Sequence, residues 1–165
     1  NSNGYFEGDR VILDNVLTPL QWNIDFFLSS TGFSYDFAGN FTCTASGRYL
    51  ITFQGVWDLS DNDPGAWAIV YQEITRTPVV LAFPMTAAWA QNSLASNVPF
   101  TKTSQTVTCV VNFNVGDLLQ FQVYHVSDSG YNAILRGADF FQSGMSTNFS
   151  ITRVGNVPVG TAQPL

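Results

Sequence analysis

Apolar and polar residues alternate with a period of two along most of this chain. The pattern runs through RVILDNV, NIDFFLS, FTCTA, RYLITFQGVW, AWAIVYQEIT, VVLAF, QTVTCVVNF, DLLQFQVYHV and NFSITRV. That is the period of a β-strand with one buried face, and no segment sustains the stripe of a helix. Between the runs lie SSTG, DFAGN, LSDNDPG, NVGD, SDSGYN and QSGMS, whose Gly, Asn, Asp and Pro residues supply bends and positive φ values. About nine short strands at this spacing predict an all-β sandwich or jelly roll.

Alternation also assigns faces. Phe41, Cys43 and Ala45 share one side of a strand, and Val107, Cys109, Val111 and Phe113 share one side of another. Both cysteines are therefore expected to point inward, either joined as a disulfide across the core or packed as two small buried thiols. Their spacing matches no zinc or iron–sulfur site.

Charge narrows the class further. The 165 residues suffice for one domain with its own core, yet 11 % are charged, 15 % are aromatic, and the net charge is −6. With one lysine, Lys102, there is no basic footprint for nucleic-acid phosphates or anionic membranes. No apolar run approaches the roughly 20 residues of a membrane span. The opening NSNGYFEGDR reads as that of a processed or excised piece. We expect a flexible N-terminal segment over 1–8, a jelly-roll head over 9–155 and an extended, uncharged tail over 156–165.

The stretch FTCTASGRYLITF carries the most specific signal. Phe41 would anchor one strand inward, Gly47 would sit at a corner that a Cβ obstructs, and Tyr49, Ile51 and Phe53 would begin the next inward row. This resembles the central signature of the tumour necrosis factor-like superfamily, especially the complement C1q globular head, with Ile51 in place of the middle aromatic. GFSYDFAGNF before it, VNFNVGDLLQFQVY after it and STNFSITRV near the end resemble the family's neighbouring turns and strands in order and spacing. The resemblance implies a jelly roll of ten antiparallel strands that trimerises about a threefold axis and works by binding. A chain so aromatic and so poorly charged is suited to self-association on physical grounds as well. Tyr49, Phe53, Phe121, Tyr124, Phe149 and Ile151 lie on strands apolar on both faces and are the expected trimer contact.

Candidate chemistry is sparse. In WDLSDNDPGAW, Asp58, Asp61 and Asp63 lie close enough in sequence to gather around a calcium ion, although the spacing is not that of an EF-hand; the plainer reading is a turn capped by Asp side chains. Trp57 and Trp67 flank that loop and, with its carboxylates, form the expected ligand site; Trp22 and Trp89 are further flat platforms, each set against a core or interface role. His125, Ser127 and Asp128 are near-consecutive and do not converge as a triad must. Glu73 with a loop aspartate is the evident glycosidase pair, and Glu73 beside Arg76 more simply reads as a surface charge. Asn40 and Asn148 fit the N-glycosylation acceptor pattern.

The expected function is therefore non-enzymatic. The chain reads as a homotrimeric head that recognises a cell-surface receptor or glycan, at the end of an extracellular or virion-surface assembly such as a virus or phage fibre, with no required cofactor. The alternatives are a secreted C1q- or TNF-like signalling ligand, a jelly-roll capsid or shell subunit, and a carbohydrate-binding module, which would be monomeric with a row of exposed tryptophans.

Overall fold

A computed structural model describes residues 2–5, 8–22, 32–59, 67–81, 83–95, 102–128, 130–137 and 146–156. Among them twelve strands follow one another: β1 (Ser2–Tyr5), β2 (Arg10–Ile12), β3 (Thr18–Pro19), β4 (Phe33–Tyr35), β5 (Phe41–Cys43), β6 (Gly47–Asp58), β7 (Trp67–Thr77), β8 (Met85–Ala95), β9 (Lys102–Phe113), β10 (Leu118–Ser127), β11 (Ala133–Leu135) and β12 (Asn148–Gly155). They form two antiparallel six-stranded sheets. The first runs β1-β12-β6-β11-β2 with β9 on the other flank of β6; the second runs β4-β5-β10-β7-β8 with β3 also on β10.

Inward positions of the long strands make the core as alternation requires. Tyr49, Ile51 and Phe53 from β6 meet Leu119, Phe121 and Val123 from β10, all fully buried. Phe121 stands at the centre, 5.4 Å from the Trp22 ring, 5.6 Å from Phe41, 5.4 Å from Phe53 and stacked at 4.8 Å on Phe149. The corner of the opening motif forms as expected. A Cβ on Gly47 would come within 2.6 Å of Arg153 Nε and 3.1 Å of the Gly155 carbonyl oxygen, and the Tyr49 hydroxyl closes the corner by donating to the Ala45 carbonyl.

A buried glutamine stitches the two sheets. Gln72 points inward from β7 and donates through Nε2 to the carbonyls of Phe53 (3.2 Å) and Gln105 (2.8 Å). Gly55 leaves the room it needs, since a Cβ there would lie 2.3 Å from Gln72 Oε1.

Several expectations are corrected. VVLAF is not a strand: Pro78 and Pro84 bracket it, Val79 to Leu81 turn, and Val79 and Val80 are exposed. The strand lies just beyond, in MTAAWAQNSLA, whose alanines and amides hide the alternation. The lead-in expected to be flexible pairs as β1 with Ser150, Phe149 and neighbouring residues of β12. Of the two alternatives left open for the cysteines, the structure has the thiols: both are free, Cys43 within the core and Cys109 packed against it from the other sheet. Burial pushes both thiols up, Cys109 to about 11. NIDFFLS and the tail from 157 onward lie outside the described residues.

Candidate functional site

The acidic loop does not assemble the expected site. Asp58 closes β6 as a fully buried carboxylate that accepts from Arg136 Nε at 2.9 Å and from its Nη2, while the same guanidinium holds Asp9. Hydrogen bonding to Asp58 is the main cause that raises the Arg136 pKa. Asp58 is therefore committed to a clamp joining the end of β6 to the strand leaving β11. Asp61 and Asp63 lie outside the described residues, and among those described no group of three or more metal-ligating side chains is found. Trp57 is fully buried and offers no platform, whereas Trp67 is 47 % exposed with its backbone NH held by Asp128 Oδ1 at 3.1 Å. Trp57 thus points into the core while Trp67 stands out from it.

The trimer residues are corrected likewise. Tyr49, Phe53, Phe121, Phe149 and Ile151 are at most 1 % exposed inside the chain's own core, so they have no surface left for a neighbour. Tyr124 alone of the six faces outward. The apparent second apolar face of these strands is the packing of one sheet on the other.

Outward-facing Tyr124 leads to a different site. On β10, β7 and β8 the register aligns Gln122, Glu73 and Trp89 in one row, and Tyr124, Tyr71 and Gln91 in the next. These positions project from the second sheet away from the core. Of these, Glu73, Tyr124, Tyr71 and Gln91, together with Leu17, Ile69 and Val126, line an open groove of about 520 Å³, and Trp89 stands beside it, stacked on Tyr71. Its rim is pinned by the segment before β3: Asn15, at φ 59°, donates its NH to the His125 carbonyl at 2.7 Å and accepts the Tyr124 hydroxyl through its side chain. Asp14 accepts from the Ser127 NH at 2.8 Å beside it.

Electrostatically the groove has a negative floor and aromatic walls. Glu73 is 7 % exposed, and its Oε2 accepts from the Tyr71 hydroxyl at 2.8 Å and from Thr86 Oγ1 at 3.2 Å. Burial first, and then Glu73, push the Tyr71 phenol up to about 12, so it remains a donor. Tyr71 also stacks on Trp89, 5.8 Å between centroids at 26°, and Trp89 is 60 % exposed. Arg76 is not the partner of Glu73: its guanidinium goes to buried Asp117, Nε to Oδ2 at 2.9 Å. His125 is buried on the core side of β10, with Nδ1 3.7 Å from Asp14, and Asp128 is turned to the Trp67 NH. Both candidate glycosylation asparagines have their amides engaged, Asn40 Nδ2 by Asp36 Oδ2 at 2.6 Å and Asn148 Nδ2 by the Ser146 carbonyl at 2.8 Å.

The other outer face of the sandwich is different in kind. Rows Val110–Leu50–Thr152, Thr108–Thr52–Ser150 and Thr106–Gln54–Asn148 run across β9, β6 and β12 without an ionisable side chain. Thr52 and Thr108 meet through their hydroxyls at 3.3 Å, and Thr106, Thr108 and Val110 are exposed.

No protein-family profile and no curated protein matches the chain by sequence. By structure it is similar to the Eiger TNF from S. frugiperda, with a TM-score of 0.70 at 14 % identity, covering 99 % of this chain and 97 % of that one. The chain has a TNF-like jelly-roll fold.

Proposed function

We propose that the chain is a non-enzymatic recognition head that acts as a homotrimer outside the cell or on a particle surface, and that it meets a cell-surface receptor or glycan through the groove of the second sheet. The observation that carries this reading is the uncovered groove lined by Leu17, Ile69, Tyr71, Tyr124 and Val126, beside which Trp89 stays 60 % exposed on Tyr71. The TNF-like fold supports a binding role, and the three uncharged rows across β9, β6 and β12, with Arg48 at their edge, suit contact between copies, because burying those rows strands no charge. A signalling ligand of the same fold would use the same two surfaces.

Light scattering tests the assembly. The reading expects a mass near three times 18.1 kDa, equal in EDTA and in calcium because Asp58 is occupied by Arg136. A mass of 18.1 kDa in both buffers would overturn the trimer and favour the carbohydrate-binding module.

A further inference from the structure

We infer that the groove of the second sheet seats one basic side chain, an arginine or lysine presented by a protein partner; this rests on the recognition-head reading and supplies the chemistry of its partner. The floor is the first argument. Glu73 is 7 % exposed, and its Oε2 is met by two neutral donors, Tyr71 and Thr86. Among the described residues no donor reaches Oε1, and no arginine, lysine or histidine forms an ion pair with this carboxylate. Oε1 keeps contact with solvent and has no protein countercharge beside it, so it is open to a cation arriving from the groove.

The walls are the second argument. Tyr71 and Tyr124 line the groove and exposed Trp89 stacks on Tyr71 beside it, which places ring surface of the kind over which a guanidinium or ammonium is held by the ring quadrupole next to Glu73. Leu17, Ile69 and Val126 supply an apolar lining for the methylene stem behind the charged head. A groove so largely apolar, with Gln91 as the one amide among the described residues that line it, offers few of the directional hydrogen bonds by which a saccharide is held.

Charge complementarity is the third. A net charge of −6 and a carboxylate floor repel anionic ligands and draw cationic ones. A second copy of this chain carries the same net charge of −6 and the same carboxylate, so like-charge repulsion disfavours it as the occupant. The basic side chain comes from another protein.

The test is an NMR titration of the ¹⁵N-labelled protein with Nα-acetyl-arginine N-methylamide, its uncharged citrulline counterpart and methyl β-galactoside. The arginine compound should shift the Tyr71 and Glu73 amides and the Trp89 indole NH and saturate in the millimolar range, as suits a single side chain. Glu73→Gln, nearly identical in shape, should weaken that binding about tenfold and remove its salt dependence, and Trp89→Leu should weaken it while leaving the carboxylate in place. Equal shifts from the citrulline compound, stronger binding of the galactoside, or no saturable shift at all would each overturn the seat. Light scattering on the same samples separates the two readings. A trimer that ignores arginine sinks the seat and leaves the head, whereas a monomer that binds it sinks the trimer.

Discussion

Inward, the two sheets of this sandwich are built alike; outward, they diverge. The face of β10, β7 and β8 carries a groove lined by Tyr124, Tyr71 and one carboxylate, Glu73, with Trp89 stacked on Tyr71 beside it. The face of β9, β6 and β12 carries Thr52, Thr108, Ser150, Gln54 and Asn148 in rows without an ionisable side chain, with Arg48 at their edge. Both alternate with period two against the same aromatic core, so folding constrains only the inward half of each strand. What the outward half holds is free to specialise, and here one face has the shape of a seat for a ligand and the other that of a plane for contact.

The largest effect belongs to the shared interior. Phe121→Ala removes a ring held by Trp22, Phe41, Phe53 and Phe149 and should cost about 3–5 kcal/mol, degrading both faces together in a urea titration. Loss of one face with the other intact would break the claim of a common core. Acid comes next. Burial lowers the His125 pKa from 6.5, with Asp14 opposing in part. Above pH 6.5 folded and unfolded chains are both neutral at this group and it contributes no penalty. As pH falls below that value the unfolded chain takes a proton that the folded one refuses, so stability should drop by up to about 1.4 kcal/mol per pH unit until the folded pKa is reached. His125→Gln should flatten that part of the profile; an unchanged slope would assign it to other groups. The smallest expected effect is that of Trp89→Ala, about 1 kcal/mol or less in thermal melting, because the ring is exposed and gives up little beyond its stack on Tyr71. A core-sized loss would make Trp89 a structural residue and blunt the contrast between the faces.

Much of the interior was legible in the chain. Phe41, Tyr49, Ile51 and Phe53 announce their inward row by alternation, and Gly47 stands where a Cβ would collide, so the TNF-like resemblance found the fold. The outward half was far less legible. Alternation says that Tyr71 and Glu73 share a face, but only the pairing of β7 with β8 and β10 brings Trp89 and Tyr124 beside them. Asp58 looked like a calcium ligand because its partner, Arg136, is 78 residues away. The supposed trimer residues were misread for a related reason: periodicity marks an apolar face without saying whether it meets the other sheet or another chain.

The division of labour between the faces is tested most directly by placing one arginine on each and weighing the products by light scattering. Thr108→Arg plants a charge on the neutral face, and Gln91→Arg plants one in the groove. The account predicts that Thr108→Arg falls to the 18.1 kDa of a single chain while Gln91→Arg keeps the trimer mass. Dissociation by Gln91→Arg with Thr108→Arg still assembled would contradict it, since the groove would then be the contact between copies.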